Sequence, residues 1–276
     1  MRKYSSLTRI HNVISHSDKI FAINLECPEI ASAAQPGQFI QLKLPRNESC
    51  LWPRPFSIHK AANDLITISV KKAGRVTNIL ETKKSGELIH VTGPLGNSFK
   101  MPPPGRDIYF AAGGVGMPPL HFLVVKLIEQ GYPAETLHFY SGAKTESELF
   151  GDEELQALGI EYIAATDDGS KGISGFITEP LAIELMRRRT GENRFDPIIY
   201  GCGPIPMLKK LAELCYGLTC YLSLEQLMPC GWGVCNGCAV KIKKNVNDIT
   251  EDERGFRLAR VCREGPVFEA SEIIWE

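Results

Sequence analysis

Short apolar and β-branched runs punctuate the first hundred or so residues, at 20–25, 39–44, 65–70 and 88–92, with Pro-Gly, Asn-Asp and Ser-Gly pairs between them. Such runs, bounded by turn-forming residues, predict antiparallel strands in a barrel or sandwich, with one short helix over 76–83. Met101-Pro102-Pro103-Pro104-Gly105 interrupts the pattern. Consecutive prolines withhold the N–H groups that a helix or a central strand needs, so a domain boundary is expected there. Beyond Asp107 the rhythm becomes strand–helix alternation. Strands are expected at 108–112, 137–141, 162–166, 197–201 and 219–224, and helices at 119–130, 146–158, 179–189 and 206–214. Alternation of this kind predicts a doubly wound parallel sheet. The expected division is a β-barrel over 1–103, an α/β domain over 104–222 and a small C-terminal domain over 223–276, with 245–254 a solvated charged loop in the last.

At 276 residues the chain has ample length for two or three domains. A net charge of −1 offers no electrostatic case for nucleic acid or an anionic membrane. The N-terminus lacks the apolar core of a signal peptide and no apolar run approaches a membrane span, so a cytoplasmic location is expected. Nine cysteines are many for such a protein. Cys27, Cys50, Cys202, Cys215 and Cys220 read mostly as small buried hydrophobes.

The other four cysteines change the picture. Cys230, Cys235 and Cys238 are spaced C-x4-C-x2-C, with Cys262 a distant fourth. This is the ligand spacing of plant-type [2Fe–2S] clusters, in which each iron takes two thiolates. Gly231, Gly233 and Gly237 lie between the ligands, where glycine lets backbone N–H groups approach sulfur. A structural zinc site is the competing reading, but zinc favours two short cysteine pairs. A disulfide reading suits a secreted protein, and nothing here marks secretion. Trp232 places a large ring between the first two ligands, either to shield a cluster or to meet a partner; the burial habit of tryptophan favours shielding.

Further constellations can carry chemistry, two in the barrel and two in the α/β domain. Arg54-Pro55-Phe56-Ser57 offers a guanidinium for a pyrophosphate, a ring to cover an isoalloxazine and a hydroxyl for a ring nitrogen. It reads equally as a proline-flanked strand start with a buried phenylalanine. Lys71-Lys72-Ala73-Gly74-Arg75-Val76-Thr77 is a glycine turn entering a helix, suited to phosphate, while Gly93-Pro94-Leu95-Gly96 reads as a closing turn. Gly113-Gly114-Val115-Gly116-Met117-Pro118-Pro119 follows the first α/β strand and precedes a helix, where a dinucleotide pyrophosphate approaches; a tight connection without ligand is the alternative. Tyr200-Gly201-Cys202-Gly203-Pro204 stands at another strand end, so Cys202 either meets a nicotinamide ring or is a buried turn cysteine.

In order along the chain, these motifs resemble the ferredoxin–NADP⁺ reductase superfamily, and within it the electron-transfer subunits of class 1B dihydroorotate dehydrogenases. Thr166-Asp167-Asp168-Gly169-Ser170, Ser223-Leu224-Glu225 and Cys262-Arg263-Glu264-Gly265-Pro266 belong to the same resemblance. It implies an FAD-binding barrel, an NAD-binding α/β domain and a [2Fe–2S] domain. It implies electrons arriving from an FMN-containing catalytic subunit, in a heterotetramer of two of each, and leaving to NAD⁺. By position it assigns Arg54, Pro55, Phe56, Ser57, Ser69, Val70, Lys71, Val76 and Thr77 to FAD. The glycine turn Gly113, Gly114, Val115 and Gly116 also falls to cofactor binding. Val70 replaces an aromatic and Val76 a glycine, and the 238–262 segment is longer than is usual. Glu225 is a candidate proton carrier near the flavin or a turn cap. Lys144 pairs with a 2′-phosphate or faces water. A flavin/iron–sulfur diaphorase subunit of another complex, of the NADH-dependent ferredoxin:NADP⁺ oxidoreductase or sulfhydrogenase type, is the alternative.

Overall fold

A computed structural model describes residues 3–45, 52–190, 195–244 and 255–275. The expected loop at 245–254 and Cys50 lie outside them. The N-terminal sheet comprises β1 (Tyr4–Ser15), β2 (Ile20–Glu26), β3 (Phe39–Lys43), β4 (Arg54–Ser57), β5 (Lys60–Ala62), β6 (Leu65–Lys71) and β7 (Leu88–Leu95), in the order β4-β3-β7-β1-β2-β6-β5. All its pairings are antiparallel. Alternate residues point inward: Ile23 and Leu25 of β2, Ile66, Ile68 and Val70 of β6 and Ile89 and Val91 of β7 share one core. The link from β4 to β5 closes the sheet on itself, because Ile58 N–H bonds to Gln38 O at 3.0 Å while His59 N–H bonds to Thr67 O at 2.8 Å. Two short helices, α1 (Pro28–Ala33) and α2 (Arg75–Glu81), cover the barrel.

The second sheet contains β8 (Ile108–Gly113), β9 (Leu137–Ala143), β10 (Glu161–Thr166), β11 (Ile173–Ser174), β12 (Ile198–Cys202) and β13 (Thr219–Ser223), all parallel, in the order β11-β10-β9-β8-β12-β13. Every residue of β8 and β12 is buried. Both faces are covered, as buried parallel strands require. On one face Ile108, Phe110 and Ala112 pack with α3 (Met117–Glu129) and α4 (Asp152–Ala157); on the other, Tyr109 and Ala111 pack with α5 (Thr178–Arg189) and α6 (Ile205–Leu214). This is the doubly wound arrangement expected.

Two expectations are corrected. The helix expected over 146–158 is a 3-10 turn at Glu146–Glu148 and then α4. Gly151 breaks it: its φ is +80°, and a Cβ there would lie 1.9 Å from Met117 Cε. Gly93, Pro94 and Leu95 are strand residues of β7 rather than a turn, and the chain turns only at Gly96.

The C-terminal segment forms the hairpin of β14 (Ala239–Lys243) and β15 (Phe256–Arg260), then β16 (Val267–Glu269), which pairs antiparallel with β13 and extends the second sheet. Ile242, Ala259, Val261 and Ile273 share a core with that sheet's outer face and with Phe39 and Leu95 of the barrel. Polar contacts join the parts. Gln41 Nε2 donates to Met228 O at 2.7 Å, and Asn97 Nδ2 donates to Glu264 O and Val267 O at 2.9 and 2.8 Å. Among the described residues no helix is long and apolar enough to cross a membrane.

Candidate functional site

The chain runs from β8 outward to β11 and returns to β12 on the other side of β8. Where a doubly wound sheet reverses in this way, the strand ends leave a crevice. The turn after β8 and the turn after β12 meet in it. A Cβ on Gly116 would lie 2.0 Å from Cys202 O, so only glycine permits the two backbones to approach so closely. Pro118 sits in the first turn of α3, where a missing N–H leaves no intrahelical bond unmade.

Two clefts open on either side of the β8–α3 turn. The first, of about 290 Å³, is walled by Phe39, Pro55, Phe56, Ser57, Ser69, Val70 and Lys71 from the barrel, Val115 and Pro118 from the turn, and Ser223, Leu224, Glu225, Met228 and Pro266 from the C-terminal part. Its lining is mostly apolar and its barrel wall carries the residues expected to meet a flavin, so it fits an isoalloxazine. Arg54 is exposed at the start of β4, its guanidinium donating to Trp52 O and Pro53 O at 3.0 and 3.3 Å. Val70 is buried in the barrel core, which accounts for an aliphatic residue there. Thr77 turns its hydroxyl back on its own loop. Its Oγ1 accepts from Ala73 and Gly74 N–H and donates to Gly74 O, and Val76 follows that loop into α2.

The second cleft, of about 490 Å³, is lined by Gly113, Gly114, Gly142, Lys144, Asp167, Thr178, Met207 and Lys210, among others. It lies over the parallel-strand ends, where nucleotides bind in such sheets. Lys71 and Glu148 border it and form an ion pair of 2.6 Å between barrel and α/β domain. Sequence reasoning missed Glu148, since no local pattern marks a carboxylate whose partners, Lys19 and Lys71, lie far away in the chain.

Cys202 is 1% exposed, packed in the core on the α3 side. Burial, and then the Glu225 charge, push its thiol well above the ordinary range, so it is a neutral, buried turn cysteine. Glu225 is an exposed residue on the rim of the first cleft, and partial desolvation there raises its carboxyl. Of the other cysteines in the described residues, Cys27, Cys215 and Cys220 are buried, as expected.

The cysteine quartet forms two contacting pairs. All four thiols are free, and Cys230 lies beside Cys235 and Cys238 beside Cys262, close enough for each pair to perturb one another's titration. Such pairs match the two thiolates per iron of a [2Fe–2S] cluster. Trp232 N–H points to Cys230 Sγ at 3.4 Å, Gly237 N–H to Cys235 Sγ at 3.5 Å and Cys262 N–H to Cys238 Sγ at 3.5 Å. Burial raises Cys230, but N–H groups of Cys235, Trp232 and Val234 outweigh it and bring the thiol down to about 6. Burial pushes Cys262 up to about 12. Gly231 and Gly233 have φ of +67° and +76°, and a Cβ on them would strike the Gln41 and Arg263 side chains at 2.4 and 2.7 Å. The loop thus fits a thiolate-held cluster. Trp232 departs from expectation: it is 40% exposed, with Lys3 Nζ 5.1 Å from its ring centroid, because the narrow turn between two glycines points it outward.

The chain is similar to known proteins over nearly its whole length. Residues 6–99 match the oxidoreductase FAD-binding domain and residues 225–274 the iron–sulfur cluster binding domain of dihydroorotate dehydrogenase B. The dihydroorotate dehydrogenase B (NAD(+)) electron transfer subunit of Bacillus caldolyticus is 33% identical over 264 residues, 94% of each chain. That of Caldanaerobacter subterraneus subsp. tengcongensis is 35% identical over 242 residues, 87% of each. Among solved structures, a chain of an NADH-dependent reduced ferredoxin–NADP oxidoreductase aligns over 98% of this chain and 90% of its own, with a TM-score of 0.80 and 26% identity. A Neisseria gonorrhoeae ferredoxin NADP⁺ reductase with bound FAD and NADP aligns over 78% of this chain and 91% of its own, at a TM-score of 0.64 and 19% identity, and shares the fold.

Proposed function

This chain belongs to the family of dihydroorotate dehydrogenase B electron-transfer subunits, and on that premise we propose that it carries electrons from a dihydroorotate-oxidising, FMN-containing subunit to NAD⁺ in pyrimidine biosynthesis. One observation carries the reading. The flavin-fitting cleft is walled on one side by residues 223–228 and Pro266, next in sequence to the candidate ligands Cys230 and Cys262, and on another by the turn that borders the nucleotide cleft. On this reading the cluster, flavin and nicotinamide would follow one another in that order.

When bound, the cluster exchanges single electrons and the flavin gathers two for delivery as hydride, which a nicotinamide requires. The chain's own residues prepare this. Cys230, Cys235, Cys238 and Cys262 are the proposed iron ligands, with N–H groups aimed at three of their sulfurs. Phe56 and Ser57 line the flavin cleft opposite Leu224 and Met228, whose apolar bulk keeps water away. Glu225 holds its proton to higher pH than an ordinary carboxyl and borders the same cleft, which suits it to proton exchange with the flavin edge. Gly113 and Gly114 leave room for a dinucleotide backbone. On the outer surface, Leu227 and Val234 are 83% and 80% exposed beside the cluster loop, an apolar edge suited to the donor subunit. The assembly is read as two copies of each subunit, in the cytoplasm.

The similarity to the NADH-dependent reduced ferredoxin–NADP oxidoreductase chain favours a second reading, a diaphorase subunit of such a complex. Co-purification with the native partner, followed by an assay of dihydroorotate-driven NAD⁺ reduction, separates the two. Reduction by dihydroorotate supports the first reading; a complex that responds only to another donor overturns it. Arg54→Ala removes a charge-assisted phosphate contact of about 1.5–3 kcal/mol, so FAD binds roughly 10- to 100-fold more weakly while the cluster stays. Unchanged flavin content would refute the assignment of Arg54.

A further inference from the structure

Behind the barrel wall of the flavin cleft, three ligand-type side chains converge where the barrel meets the α/β domain. His59 sits in the link that closes the barrel, its backbone fixed by the bond to Thr67. His121 lies on α3 and is 1% exposed. Glu154 is in the first turn of α4. One ligand atom from each falls within 4.8 Å of the others. The two imidazoles meet edge to face, 4.6 Å between centroids.

Their hydrogen bonding is the informative part. His59 Nδ1 is 2.7 Å from Ser69 Oγ, and its Nε2 has no hydrogen-bond partner within the protein. Both ring nitrogens of His121 are likewise without one, although Nε2 lies 3.1 Å from Glu154 Oε2. Buried polar atoms are nearly always bonded, and exceptions mark a bound water, an ion or a functional site. Two imidazole nitrogens without a partner, His59 Nε2 and His121 Nδ1, and a third, His121 Nε2, that faces only the Glu154 carboxylate make up the donor set of a borderline cation.

We infer that His59, His121 and Glu154 form a binding site for a divalent transition-metal ion of the zinc class, clamping the barrel to the α/β domain. Zinc accepts two histidines and a carboxylate at about 2.0–2.2 Å each and takes water as a fourth ligand. At 2.7 Å Ser69 Oγ is placed to accept from His59 Nδ1–H, which would leave the Nε2 lone pair free, the outer contact typical of metal-bound histidine. Burial, and then His121, lower the His59 pKa well below its usual value, in keeping with a neutral ligand. Lys60 Nζ is 2.6 Å from the same Glu154 oxygen. The ion therefore takes the other carboxylate oxygen or displaces the ammonium, and a half-exposed Glu154 has the freedom to turn.

The test uses holoprotein loaded with FAD and iron. One equivalent of zinc sulfate is added, unbound metal is removed by gel filtration, and zinc, iron and flavin are measured together. Wild type should retain one zinc per chain without losing iron, with only nitrogen and oxygen neighbours in zinc-edge X-ray absorption, and should melt at higher temperature with zinc. His121→Gln and Glu154→Gln should lose the zinc and the thermal gain while keeping flavin and iron. Glu154 is at the surface, so its variant keeps the test decisive if His121→Gln fails to fold. Wild type that retains no zinc, zinc with sulfur neighbours (capture by the cluster cysteines), or equal retention in Glu154→Gln would each overturn the site. None of these readouts involves turnover, so their outcome is separate from that of the electron-transfer reading.

Discussion

Gly116→Ala probes the close approach on which the crevice depends. An added Cβ would lie 2.0 Å from Cys202 O, 2.3 Å from its carbonyl carbon and 2.8 Å from Gly203 N, against an ordinary contact of about 3.5 Å. These are backbone atoms with no rotamer to give, so the turns after β8 and β12 must part by more than about 1 Å. Overpacking typically costs about 1–3 kcal/mol, and a backbone-on-backbone overlap belongs at the top of that range. At about 3 kcal/mol, melting should fall by roughly 6–12 °C. If half of that strain is relieved by moving Gly113 and Gly114 out of the nucleotide cleft, NADH binds about tenfold more weakly. Gly114→Ala is the matched control: it has φ of +53° and nothing within 4 Å, so it pays only the left-handed backbone cost of about 1–2 kcal/mol. Flavin-fluorescence melting and NADH titration of the FAD-loaded protein measure both quantities. If Gly116→Ala melts with Gly114→Ala and binds NADH as wild type does, contact between the two turns is not what shapes the crevice.

Two further variants test the joints between the parts. Glu148 is buried between Lys71 at 2.6 Å and Lys19 at 3.3 Å; burial raises its carboxyl, but the two ammonium groups outweigh it and hold the carboxyl below its usual 4.5. A depressed folded pKa gives stability that is present above the unfolded value and lost as pH falls through the folded one. Glu148→Gln should therefore cost about 1–3 kcal/mol at pH 7, with the deficit shrinking below pH 4.5 in urea titrations; a deficit constant down to acid pH would contradict the pairing. Gly231→Ala combines a left-handed φ of +67° with a Cβ 2.4 Å from Gln41 Cδ, and Gln41 cannot retreat without leaving Met228 O. It should assemble less iron and sulfide per chain at unchanged FAD; full iron occupancy would show that the cluster loop tolerates a side chain there.

Local patterns in the chain reveal local structure, and structure set by distant contacts stays hidden. The cysteine spacing, the glycine turn after β8 and the apolar strands β2, β3 and β6 are each written within a few consecutive residues. β1 is not, because only Thr8 and Ile10 of its twelve residues are buried and no apolar alternation marks it. β16 is three residues long and owes its existence to β13, far upstream. The break at Gly151 follows from Met117 pressing on it, and the outward turn of Trp232 from glycines on both sides. Among candidate site residues, Phe56 and Ser57 line the first cleft, and three of the four cysteine sulfurs face backbone N–H groups. Gln41, Asn97 and Glu148 act through partners that no linear motif contains.

Asn97 grips the backbone at Glu264 and Val267, β16 is sewn into the neighbouring sheet, and Gln41 holds Met228, so both cysteine-bearing segments are anchored at their bases. With those segments tied to both sheets, an electron is expected to pass to the flavin without waiting for a mobile head to swing. Transfer inside this subunit is then governed by tunnelling through packed matter, and thickening the solvent with glycerol would leave its rate untouched.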